Sequence, residues 1–204
     1  MRPPKRKKKT RDNSNRILLI VENSEKEFFQ KYFNKFLERE YGLKVDVKSS
    51  GSGNKCEISN FKKISSKIEL FLDIEKYQSV FLMIDLDTKC FESNRNHNCL
   101  IKLKREYLPR YKIKKELKSR FYLFIVCNEI ESWFLTIDKN KKHTNSIHEN
   151  HKKEIMKLFN VNSEPQIVQR MVRELEREKI ELDISKNKSL QHFIKKLQEF
   201  NANL

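Results

Sequence analysis

RILLIVENSEK, residues 16–26, begins as a run of branched apolar side chains and stops on a carboxylate, Glu22. Two later stretches repeat the design. VFLMIDLD, residues 80–87, ends its apolar run at Asp85 with Asp87 two positions on, and FYLFIVCNEIE, residues 121–131, runs into Glu129 and then Glu131. Short runs rich in β-branched and aromatic residues, with little alternation, read as strands buried on both faces, which is the signature of a parallel sheet. In such sheets the ligand crevice lies at the carboxyl ends of the strands. Carboxylates delivered there from separate strands repel one another and lose hydration, so they gain most by sharing a divalent cation that prefers oxygen ligands.

The intervening sequence supplies the helices that such a sheet needs. Strand one covers roughly 16–21, and a helix is expected from about Ser24 to Tyr41, with Phe28, Phe29, Tyr32, Phe33, Phe36 and Leu37 at helical spacing. Ser24 and Glu27 match a capping box at its start. A short strand, LKVDV, follows Gly42. A second helix over about 59–76 carries Phe61, Ile64, Ile68, Phe71 and Leu72 on one side. After Asp87 comes a polar stretch, then a basic helical stretch from about Leu100 to Leu117, interrupted near Pro109. A short helix with Glu131, Trp133, Phe134 and Ile137 follows the third run, Trp133 reading as a core anchor. Three helical segments close the chain, one over 164–179 with a second capping-box match, Ser163 and Gln166. The expected fold is α/β: a small, mostly parallel sheet flanked by helices, with a helical C-terminal extension. Residues 1–14 read as a basic, flexible arm, 15–138 as the α/β domain, and 139–204 as the helical extension packed on that domain.

Composition narrows the partner. The chain of 204 residues carries 44 lysines and arginines against 28 acids, a net charge of +16. Such a surface favours a polyanion, because cations that neutralise phosphates release condensed counterions. The arm concentrates this charge in Lys5, Arg6, Lys7, Lys8, Lys9 and Arg11, which are expected to contact a nucleic-acid backbone. The longest apolar stretch is about seven residues, far short of a membrane span, and no apolar signal segment follows the basic start. A cytoplasmic protein with no membrane association is expected. Four cysteines without a C-x-x-C pair give no zinc or disulfide framework. His148 and His151 read as surface histidines. SSGSGNK, residues 49–55, is a strand-to-helix loop that could cradle phosphate, but neither a P-loop nor a dinucleotide fingerprint is present, so ATP hydrolysis by this chain alone is disfavoured.

These positions resemble the Toprim domain, which is found in topoisomerases, primases, OLD-family nucleases and small defence-associated proteins such as the RloB-like group. ILLIVENSEK is similar to the start of that domain in type IA topoisomerases, placing Glu22 and Lys26 on the family's glutamate and lysine. FLMIDLD supplies the aspartate pair, and NEIESWFL resembles the acidic-aromatic motif of the small proteins. Asn23 stands where a glycine is usual, and Glu25 is the nearest counterpart of the acid that follows it. The resemblance implies a Toprim-like Rossmannoid fold and metal-dependent cleavage of DNA or RNA, in phage defence or related processing. Asp85, Asp87 and Glu131 would hold Mg²⁺ or Mn²⁺, Glu22 would act as general base or second-metal ligand, and Lys26 would stabilise developing charge.

Two other readings compete. A non-catalytic nucleic-acid-binding subunit working beside an ABC- or OLD-type ATPase would use the same basic surface. A phosphatase of the haloacid dehalogenase class is suggested by LMIDLDT, although Thr88 falls one position early for its D-x-D-x-T motif. No tyrosine stands out as a topoisomerase nucleophile.

Overall fold

The computed structural model describes residues 16–23, 25–51, 60–85, 100–126, 130–144, 150–177 and 181–202. Its centre is a four-stranded, all-parallel sheet of β1 (Ile17–Val21), β2 (Val45–Ser49), β3 (Ser79–Asp85) and β4 (Phe121–Val126), in the order β2-β1-β3-β4. The α/β architecture expected from the apolar runs is thus present. All five residues of β1 are buried, alternately on opposite faces, which explains why its sequence shows no polar alternation.

One face is covered by α1 (Lys26–Phe28), a wider π turn (Phe29–Phe33) and α2 (Asn34–Tyr41), which form one continuous helical stretch between β1 and β2. Gly42, at φ 65°, closes it in the left-handed conformation that glycine adopts without steric cost. The same face receives α5 (Glu131–Phe134), α6 (His151–Phe159), α7 (Glu164–Glu176) and α8 (Lys188–Ala202). Their shared core is aromatic. The Phe193 ring on α8 lies 4.9 Å from Phe124 of β4, 5.4 Å from Trp133 of α5 and 6.1 Å from Phe33, centroid to centroid. The C-terminal helices therefore complete the core of the sheet.

The other face is covered by α3 (Phe61–Glu69), which continues through a π turn (Leu70–Ile74), and by α4 (Leu100–Tyr107) with the segment that follows it. Ile64, Ile68 and Leu72 face Leu18, Ile20 and Leu82 of the sheet. Arg120 fastens the far end of this layer by donating from Nε to the Gln78 carbonyl at 2.8 Å and from Nη2 to the carbonyls of Tyr77 and Leu72. At the same end, Arg16 forms a two-pronged pair with the Asp46 carboxylate, which also accepts the Tyr77 hydroxyl at 3.1 Å.

Several local expectations change. The strand after Gly42 covers Val45–Ser49, two residues later than LKVDV implied. The interruption expected near Pro109 is present as a 3₁₀ turn at Leu108–Arg110, where Pro109 lacks the N–H needed to continue, but the chain beyond it resumes as a separate 3₁₀ segment, Lys115–Arg120, and not as an α-helix. Ser24 lies outside the described residues; the first helix is preceded instead by Glu25, and Glu27 takes the Lys31 ammonium at 2.6 Å. Ser163 makes no side-chain cap, while Gln166 reaches back to accept the Asn162 N–H at 3.0 Å. His151 is a correction. It is fully buried at the start of α6, because it shares an i, i+4 stripe with buried Ile155 on the helix that packs against α5. His148 and Cys127 lie outside the described residues, as do all of residues 1–15.

Candidate functional site

The carboxyl end of the sheet is built from neighbouring strands. β1 and β3 are paired centrally, with Ile20 level with Leu82, so Glu22 and Asp85 stand two and three residues beyond partnered positions on adjacent strands. Adjacent strands run about 4.8 Å apart. Asp85 is itself level with Val126, the last residue of β4, and Glu131 follows five positions later as the first residue of α5. Three acidic positions therefore end or follow three contiguous strands: Glu22 after β1, Asp85 as the last residue of β3, and Glu131 after β4.

Glu22 is partly exposed, and its carbonyl accepts the Glu25 N–H at 3.2 Å as the chain turns into α1. Lys26, the first residue of that helix, is also partly exposed, so a cation stands one turn from the candidate base. Across the neighbouring strand, the Ser50 N–H donates to the carbonyl of Val21 at 2.8 Å. The loop after β2 is thus held to the residue that precedes Glu22.

Glu131 is only 7% exposed although it carries a carboxyl group, and α5 behind it is anchored by a buried polar cluster. Asn187, ahead of α8, donates from Nδ2 to the Thr144 hydroxyl at 3.0 Å and towards the Ser132 carbonyl and hydroxyl at 3.2 and 3.3 Å. Its Oδ1 accepts the Leu190 N–H at 3.0 Å, capping α8. One amide thereby joins α5, the loop after it and the last helix.

Glu25 is a second carboxylate withdrawn from solvent, at 6% exposure. It was legible only as the counterpart of a family acid, although its spacing to Phe28, Phe29 and Tyr32 puts it on the inner face of the helical stretch. Phe28 and Phe134 meet edge to face at 4.8 Å, and each follows a buried glutamate by three residues. The helices carrying Glu25 and Glu131 are locked together one turn beyond those acids. Lys67, which sequence reading passed over, reaches from α3 to donate to the Ser50 carbonyl at 2.7 Å. Nothing in its local pattern distinguishes it from other lysines on an exposed helix.

Asp87, Glu129, the Asp85 side chain and the basic residues of the arm lie outside what the structure describes. Among the described residues no group of three His, Cys, Asp or Glu side chains converges as a metal site. The donor set nevertheless suits a hard divalent cation: every candidate ligand is a carboxylate, and of these the backbone places Glu22 and Asp85 at one end of one sheet, with Glu131 five residues beyond the end of β4.

A family model, "Domain of unknown function (DUF4276)", matches residues 22–174, well over half of the chain, and the protein belongs to that family. The match begins at Glu22 and includes Asp85, Asp87 and Glu131. No curated protein and no solved structure matches the chain.

Proposed function

We propose that this DUF4276 chain is a metal-dependent nuclease, hydrolysing phosphodiester bonds of DNA or RNA at the carboxyl end of its sheet. The observation that carries the reading is the placement of Glu22, Asp85 and Glu131 at or after the ends of three contiguous parallel strands in a chain of net charge +16. A cluster of acids is costly beside a polyanionic substrate unless a cation lies between them.

Glu22, Asp85, Asp87 and Glu131 are the residues that would hold the metal. Mg²⁺ or Mn²⁺, when bound, would neutralise charge on the scissile phosphate and lower the pKa of a bound water. Glu22 accepts the proton of the attacking water, or ligates a second ion. Lys26 faces the charge that builds on the phosphoryl oxygens and on the leaving oxygen. One water is consumed, and the products are a terminal phosphate and a free hydroxyl. Buried Glu131, fixed through Ser132 and Asn187, keeps its position while substrate exchanges. A cytoplasmic setting and a role in phage defence belong to the same proposal, through the Toprim resemblance, while an ABC- or OLD-type ATPase partner belongs with the alternative, a binding subunit. Among the described residues no helix is long and apolar enough to cross a membrane.

The test is cleavage by the purified full chain of single- and double-stranded DNA and RNA with Mg²⁺ or Mn²⁺. Glu22→Gln and Asp85→Asn are expected to lower the rate about 100-fold or more with binding retained. Salt-sensitive binding without cleavage under either metal overturns the nuclease and leaves a binding subunit.

A further inference from the structure

The layer formed by α3 and the segment after α4 carries a basic cavity beside the strand ends. It has a volume of about 510 Å³ and is lined by Asn60, Lys62, Lys63, Ser66, Lys67 and Leu70. It is shallow and open, running along the solvent-facing side of α3 where Lys62, Lys63 and Ser66 are exposed. Asn60 uses its Oδ1 to cap the Lys63 N–H at 3.2 Å, and three of the six lining residues are lysines.

Two hydrogen bonds connect this cavity to the candidate site. Lys67 donates to the Ser50 carbonyl, and the Ser50 N–H donates to the carbonyl of Val21, the residue before Glu22. On the other side of Phe61, the first residue of α3, stands Arg110. Its guanidinium lies 4.6 Å from the Tyr107 ring and 5.6 Å from the Phe61 ring, and Glu106 holds it at 2.8 Å. Arg110 is thus an oriented cation beside the same helix start.

The charge is also uneven between the two layers. Residues 100–120 contain nine lysines and arginines, of which Arg120 is engaged at the far end of the layer and Lys104 lies over Tyr122, against two acids, whereas residues 150–202 of the opposite layer contain eleven against eight. Lys114 is spliced onto α3, its N–H donating to Glu69 at 2.9 Å and its ammonium lying 3.5 Å from Asp73. The basic segment therefore lies against the same helical stretch that carries the cavity.

We propose that this surface is the track for the phosphodiester backbone of the nucleic acid, with Lys62, Lys63, Lys67 and Arg110 contacting phosphates adjacent to the one that reaches Glu22. The inference rests on the nucleic-acid reading above and adds to it the face along which the strand lies. Backbone contacts of this kind position a substrate without reading its sequence, so DNA and RNA strands share the track.

The experiment measures binding of fluorescein-labelled DNA and RNA strands and of a duplex to the full chain in EDTA, across a salt series. Lys62→Gln, Lys63→Gln and Lys67→Gln together are expected to weaken binding about tenfold or more and to reduce the log–log salt slope by about 2–3. The same number of charges removed from the opposite layer, by Lys153→Gln, Lys157→Gln and Lys195→Gln, is expected to change affinity less than about twofold. The Lys62→Gln, Lys63→Gln double variant keeps the Lys67 tether, so a loss seen there as well is due to the cations and not to a displaced loop.

Equal loss in both triple variants, wild-type affinity in the α3 triple variant, or no binding by the wild-type chain overturns the proposal. Loss confined to α3 in a chain that cleaves nothing with Mn²⁺ supports the track while the nuclease reading falls. Cleavage with unchanged kcat/KM in the α3 variant overturns the track and leaves the nuclease standing.

Discussion

Asn187 and Thr144 are 43 residues apart in sequence, yet the Asn187 amide donates to the Thr144 hydroxyl at 3.0 Å with both residues fully buried. The same side chain caps α8 and touches Ser132, the neighbour of Glu131. Asn187→Ala removes the cap and leaves buried polar atoms of Ser132 and Thr144 with fewer partners. A loss of about 2–3 kcal/mol is expected in urea unfolding. A loss below about 0.5 kcal/mol would mean that this amide does not join the three segments.

Phe193 makes a second, independent link between α8 and the sheet. Phe193→Ala opens a cavity among Trp133, Phe124 and Phe33 and is expected to cost about 3–5 kcal/mol. Leu158→Ala, at a side chain 44% exposed, should stay within about 0.5 kcal/mol. Similar effects at the two positions would separate the C-terminal helices from the core of the sheet.

His192 gives the fold a pH dependence. Its imidazole stacks on Phe124 at 5.8 Å, and desolvation, followed by Lys196 and Lys104, holds its pKa below the ordinary histidine value, with Glu199 opposing. The unfolded chain therefore takes up this proton at a higher pH than the folded chain. The group's contribution is fully present above about pH 6.5 and is lost as pH falls through that value towards the depressed folded pKa. Thermal unfolding should show a drop in Tm between about pH 7.5 and 5.5 that is smaller in His192→Gln. An equal drop in the variant would locate the dependence elsewhere.

The strands were legible because burial on both faces leaves an unbroken apolar run, as in ILLIV, and each run ended close to where its strand ends. The helix after β1 was legible from its aromatic spacing, but the π turn at Phe29–Phe33 was not. There the wider turn accompanies burial of Phe29, Tyr32 and Phe33 together, and that preference comes from packing against α5 and α8. His151 was misread for a related reason: a single histidine at a helix start carries no periodicity, and its burial depends on α5. At the candidate site, Glu22 and the end of the aspartate strand could be read as strand ends, and the sheet order makes them neighbours. Lys67 and Ser50 could not, because their bond joins an exposed helix to a loop across a connection of changing composition.

The central claim is that Glu22 and Asp85, carried on adjacent parallel strands, serve one divalent cation. Titration of the metal-free full chain with Mn²⁺, followed by electron paramagnetic resonance, measures this without reference to any substrate. The account predicts saturable Mn²⁺ binding by the wild-type chain and an affinity lower by about tenfold or more in both Glu22→Gln and Asp85→Asn, with Tm in EDTA unchanged. Wild-type Mn²⁺ affinity in the two variants, or no saturable binding by the wild-type chain, would contradict it.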